Sequence, residues 1–95
     1  MIKLAPSPRY QLSYQNYPNP FSQSTTIRYS LPQSMHVRLA VYDVLGREVS
    51  LLANGQQTAG IYTLNFNASH LNPGLYFARI ELDHLRFTKR MVLIR

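Results

Sequence analysis

The chain contains no cysteine, and only four of its 95 residues are acidic. Without cysteine there is no disulfide framework, no thiolate metal site and no cysteine nucleophile. The four carboxylates are Asp43, Glu48, Glu81 and Asp83. Glycoside hydrolysis needs two carboxyl groups facing one bond across a cleft. Only Asp43 and Glu48 flank a single turn, and Arg47 between them makes a surface ion pair the expected arrangement. His36, His70 and His84 show no short ligand spacing, and each falls at a strand start or a turn. There is no Gly-x-Ser-x-Gly elbow, no glycine-rich phosphate loop and no cluster of oxygen ligands for calcium. These shortages point away from an enzyme and imply neither metal nor cofactor. Long apolar runs are also lacking. No stretch approaches the roughly 20 residues of a membrane-spanning helix, and Met1 to Pro8 has no apolar core of a signal peptide.

What is present is base, aromatics and alternation. Ten basic residues against four acidic give a net charge of +6. Several bases alternate with apolar neighbours, as in Val37-Arg38-Leu39, which places them on the solvent face of strands. Period two dominates the chain. Strands are expected over Gln11–Gln15, Thr25–Leu31, His36–Tyr42, Arg47–Leu51, Ile61–Asn67, Leu75–Leu82 and Leu85–Ile94. Inward faces are assigned to Ile27, Tyr29 and Leu31; to Val37, Leu39 and Val41; to Tyr62, Leu64 and Phe66; and to Tyr76, Ala78, Ile80 and Leu82. Turns are read at Tyr17-Pro18-Asn19-Pro20, Pro32-Gln33-Ser34, Val44-Leu45-Gly46, Asn54-Gly55, Ala59-Gly60, Asn72-Pro73-Gly74 and Asp83-His84. Asn67 to Leu71 reads as a single turn. Seven short strands separated by such marks predict an all-β protein, an immunoglobulin-like β-sandwich of about seven antiparallel strands in two sheets. Residues 1–10, with Pro6 and Pro8, read as an extended linker, and 11–95 as the domain.

Aromatics interleaved with bases can stack nucleic-acid bases. Here Tyr29, Tyr62, Phe66 and Tyr76 fall on apolar strand faces, so core packing is expected and no nucleic-acid partner.

Four segments in order resemble one family. Gln15-Asn16-Tyr17-Pro18-Asn19-Pro20-Phe21, with the following Thr25 to Pro32, resembles the opening of the type A C-terminal sorting domain of the type IX (Por) secretion system. Val37 to Val49, containing Tyr42-Asp43-Val44-Leu45-Gly46-Arg47-Glu48, is similar to its central hairpin. Leu71-Asn72-Pro73-Gly74-Leu75-Tyr76-Phe77 is similar to its Gly-x-Tyr strand, and Lys89-Arg90-Met91-Val92-Leu93-Ile94-Arg95 to its basic-then-apolar ending. The hairpin pattern also resembles the related immunoglobulin-like domain of the flagellar hook-capping protein.

The resemblance implies a secretion signal of Bacteroidota and relatives. It would direct an upstream cargo, a secreted enzyme for example, from the periplasm across the outer membrane to the cell surface or medium. Its implied partners are the translocon and a sortase-like peptidase that removes the domain and can attach the cargo to the surface. The candidates for translocon recognition are Lys89, Arg90, Met91, Val92, Leu93, Ile94 and Arg95. Asn19, Pro20, Phe21, Tyr42, Asp43, Gly46, Gly74 and Tyr76 are the motif and structural candidates. A strand at the end of the chain can also offer an edge for pairing, to a partner or to a second copy. The competing expectation is a carbohydrate-binding or adhesive module of a surface protein, with Tyr10, Tyr14 and Tyr17 as the row of exposed aromatics it needs.

Overall fold

The structure is a computed structural model and describes residues 14–94. Seven strands follow one another with no helix among the described residues: β1 (Tyr14–Tyr17), β2 (Ser24–Leu31), β3 (Met35–Tyr42), β4 (Glu48–Gln57), β5 (Gly60–Asn67), β6 (Gly74–Leu82) and β7 (Leu85–Leu93). They form two antiparallel sheets, one of three strands in the order β1-β2-β5 and one of four in the order β4-β3-β6-β7. The fourth strand therefore joins the sheet of the third, sixth and seventh strands. In constant-type immunoglobulin domains the fourth strand lies on the opposite sheet.

The alternating residues of both sheets meet in one core. Ile27, Tyr29, Leu31 and Phe66 face Val37, Leu39, Val41, Ala78, Ile80 and Leu82, with Met91 and Leu93 closing it. Tyr62 and Leu64 pack against it half-buried. Period two puts these residues on one side because successive side chains of a strand point to opposite faces. Each fully buried aliphatic or phenyl side chain contributes about 1.5–3 kcal/mol relative to exposure.

Two strands differ from the sequence reading. The first does not stop at Gln15 but runs to Tyr17, opposite Thr26. Gln11 to Ser13 lie outside the described residues, as do residues 1–10, for which a linker is expected, and Arg95. The fourth strand does not end at Leu51. Asn54 and Gly55 are no turn: they pair with Arg38 and Val37 inside the β3–β4 ladder. The register of that ladder slips twice. Ala40 follows Leu39 while its partner jumps from Ala53 to Leu51, and Tyr42 follows Val41 while its partner jumps from Ser50 to Glu48. The extra residues, Leu52 and Val49, are β-bulges and both pack against the core. Bulges break strict alternation, so the period-two signal fades where the strand continues.

The remaining turns lie where the sequence marks them. Asp83 takes φ of 53° in the two-residue turn between β6 and β7. Leu71 N–H donates to the Ala68 carbonyl at 3.0 Å in the single turn after β5.

Candidate functional site

The site builds from the last strand outward. β7 is an edge strand, bonded to β6 on one side only. Tyr76 pairs with Met91, Ala78 with Lys89, Ile80 with Phe87 and Glu81 with Arg86. Residues paired across a ladder share a face. Met91 and Leu93 therefore enter the core with exposures of 0% and 1%. Lys89 lies on the same side of the strand but is exposed, while Arg90 lies on the outer face and is exposed. Ile94 is 51% exposed, and Val92 is half-buried.

The free edge of β7 is half covered. The Asn19 side chain behaves as a peptide group: its Nδ2 donates to the Arg90 carbonyl at 2.8 Å and its Oδ1 accepts from Val92 N–H at 2.9 Å. Two residues on, Phe21 N–H donates to the Val92 carbonyl at 2.9 Å, and Ile94 N–H donates to the Phe21 carbonyl at 2.8 Å. The two backbone bonds form a short parallel bridge of Phe21 with Leu93, and the two Asn19 side-chain bonds extend it along the edge. Pro20 between them has no N–H to donate and joins the two bonded residues, with cis peptide bonds at Tyr17-Pro18 and Asn19-Pro20. The segment is pinned from below. Phe21 is 2% exposed and meets Phe66 edge-on, with 6.3 Å between ring centroids. Thr25, fully buried, donates from Oγ1 to the Pro18 carbonyl at 2.7 Å. The Asn-Pro-Phe motif and the basic-apolar ending, 73 positions apart at Asn19 and Val92, are thus one structural unit.

The other motif residues set turns and the outer sheet face. Asp43 ties its hairpin: Oδ1 accepts from Leu45 N–H at 2.9 Å and Arg47 N–H at 3.0 Å, and Oδ2 accepts from Arg47 Nε at 3.0 Å. The Arg47 backbone N–H, with desolvation opposing it and Leu45 N–H and the guanidinium assisting, holds the Asp43 carboxyl below the usual carboxylate range. Gly46 takes φ of 83° there, the left-handed conformation that suits glycine. Gly74 opens β6 opposite Leu93. Tyr76 donates its hydroxyl back to the Asn72 carbonyl at 2.6 Å. That contact is the tyrosine corner of immunoglobulin-like sandwiches, near the start of the sixth strand. On the outer face, Arg38 donates to the Tyr42 hydroxyl at 3.0 Å and pairs with Glu48 at 2.6 Å. The Arg79 guanidinium lies 4.4 Å from the centre of the Tyr42 ring. Ala40 pairs with Arg79 and Leu51 and is fully buried, although its position in the alternation is outward.

Asp43 pairs with Arg47, Glu48 with Arg38 and Glu81 with Arg86, so three of the four acids are engaged by arginines. Among the described residues, no group of three His, Cys, Asp or Glu side chains is placed to hold a metal. His36 and His84 line one open cavity of about 440 Å³ with Arg38, Glu81, Asp83 and Arg86, while His70 sits elsewhere in the turn after β5. Of the aromatic row expected for glycan binding, the two described members do not share an exposed surface. Tyr14 is 7% exposed and donates its hydroxyl to the Ala78 carbonyl at 2.8 Å, and burial raises its pKa. Tyr17 is 77% exposed, and Tyr10 lies outside the described residues.

A two-sheet sandwich with a tyrosine corner, and with its last strand stitched to an early proline-rich loop, is an immunoglobulin-like module. The chain matches the family of secretion system C-terminal sorting domains over residues 15–94, and it belongs to that family. No curated protein matches the chain. It is a C-terminal sorting signal of the type IX secretion system, a kind of domain that is not typically catalytic. That role implies contact with the secretion machinery, a linked upstream cargo, and export through the outer membrane.

Proposed function

We propose that the machinery reads the last strand, Lys89 to Arg95, and that its exposed bases Lys89 and Arg90 are the part of the address open to contact. The cargo upstream is a secreted protein, delivered to the surface or medium. The domain itself is not an enzyme but a substrate. A sortase-like peptidase of the outer membrane cuts within residues 1–10 and can attach the cargo to the cell surface. The supporting observation is the division of labour along β7. Met91 and Leu93 are buried, whereas Lys89 and Arg90 are exposed and take part in no ion pair among the described residues. Exposed charges of one sign suit recognition by a complementary surface and speed the encounter.

The test is export of a periplasmic reporter fused ahead of residues 1–95, in a host that has this secretion system. The fusion is expected at the surface or in the medium, and its retention in the periplasm refutes the sorting role of this chain. Deleting Lys89–Arg95 is a poor probe, since it also empties the core of Met91 and Leu93. Lys89→Glu with Arg90→Glu is the better one. Exposed substitutions of this kind change stability by only about 0.5 kcal/mol, so lost export with an intact fold would place the address here.

A further inference from the structure

The half of the β7 edge that the Asn19–Phe21 segment leaves uncovered has a chemistry of its own. In an antiparallel ladder, alternate residues turn both backbone groups to the same side. Arg90, Val92 and Ile94 turn theirs outward, to Asn19 and Phe21. By the same alternation Arg86 and Thr88 turn N–H and C=O outward, and Arg90 its N–H, with no partner among the described residues. Leu85 to Arg90 are all exposed. They include two large apolar side chains on the core-facing side, Leu85 at 41% and Phe87 at 36% exposure. The outer side carries Arg90 and Arg86, the latter 3.3 Å from the Glu81 carboxylate, with Lys89 beside Phe87 on the other side.

From this we infer that Arg86–Arg90 is a docking edge for an extended segment of a partner, one that alternates acidic and apolar residues. The added strand bonds to the outward backbone groups of Arg86, Thr88 and Arg90. Its acidic side chains lie over Arg86 and Arg90, and its apolar ones cover Leu85 and Phe87. A second copy of the chain does not fit. In a two-fold antiparallel pair centred on Thr88, Arg86 of each copy stands opposite Arg90 of the other, and like charges directly opposed are destabilising. The bases thus guard the edge against self-pairing while leaving it open to an acidic strand. The partner's membership in the secretion machinery rests on the sorting role, but the edge chemistry does not.

The probe is a short blocked peptide alternating glutamate and valine, added to the whole chain, with a lysine–valine peptide as control. The glutamate peptide is expected to shift the backbone NMR signals of Arg86, Thr88 and Arg90 and to slow their amide exchange, and the effect weakens as salt rises. Thr88→Pro removes only an outward N–H, which an edge strand tolerates, and is expected to weaken binding about tenfold. Equal binding of the two peptides, full binding by T88P, or self-association through this edge without peptide overturns the inference. If T88P does not fold, Arg86→Glu with Arg90→Glu takes its place. The preference should then invert toward the lysine peptide, and an unchanged preference overturns the inference. In the export assay, a T88P fusion secreted like the parent rules out the secretion machinery as the partner at this edge while the sorting role stands. Retention of the parent fusion sinks the sorting role, with the peptide result still deciding the edge.

Discussion

Replacing Asn19 by alanine removes two of the four bonds that stitch the early loop to β7, those to the Arg90 carbonyl and the Val92 N–H. A neutral hydrogen bond contributes about 0.5–1.5 kcal/mol net. Both bonds are exposed, and water replaces the lost partners, so each belongs near the lower end and the pair sums to about 1–2 kcal/mol. Against a domain stability of about 5–15 kcal/mol the fold survives. The loss should be local before it is global. Val92 N–H, deprived of Oδ1, is expected to exchange with solvent about 5–30 times faster, the factor that corresponds to 1–2 kcal/mol. Met91 belongs to the residues that bond to β6, and its amide serves as the internal control. Native-state hydrogen exchange followed by NMR measures both at once, with urea denaturation for the global term. Asn19→Asp keeps the acceptor for Val92 but turns an oxygen toward the Arg90 carbonyl, and should fall between the parent and alanine. Phe21→Ala separates anchor from stitch: it empties a buried site against Phe66 and is expected to cost about 3–5 kcal/mol. An unchanged ratio of Val92 to Met91 exchange in Asn19→Ala would falsify the view that this side chain closes the edge.

Three further outcomes are expected. Tyr76→Phe deletes the hydroxyl bonded to Asn72 and should lower stability by about 0.5–1.5 kcal/mol in urea denaturation, with a larger loss refuting a single-bond account. Gly46→Ala meets no atom within 4 Å, so its cost is conformational alone; about 1–2 kcal/mol is expected from forcing an L-residue to positive φ, and a neutral result would show that the turn relaxes. The Asp43 carboxyl has a depressed pKa in the folded chain, so its contribution is complete above the ordinary carboxylate pKa and is lost as pH falls through the lower native value. Asp43→Asn should therefore abolish the part of the acid sensitivity that NMR detects in the hairpin, and an identical acid titration of Leu45 and Arg47 amides in both proteins would count against it.

Much of the fold is legible in the residues themselves. Ile27, Tyr29 and Leu31, or Val37, Leu39 and Val41, alternate strictly, and a strand with one buried face has no other economical arrangement. Pro73, Gly74 and Asp83 mark turns by backbone preference alone. The reading weakens where tertiary contact overrides the local pattern. Val49 and Leu52 bulge toward the core, so the strand continues through Asn54-Gly55 against the turn signal of that dipeptide. Tyr14 lies near an aromatic cluster that suggests a binding row, yet it is buried because Ala78 offers its hydroxyl an acceptor from the other sheet.

The site shows the same division. The alternating core, the small number of acids and the four segments that carry the family are legible in the residues alone. The folded chain alone decided what the last strand offers. It showed that Asn19 and Phe21 cover the edge from Arg90 to Ile94, that Lys89 is exposed on the core-facing side, and that the open edge lies at Arg86 to Arg90. The physical reason is range. Alternation and turn preference act over a few residues, whereas the coverage of an edge depends on which distant segment packing brings against it.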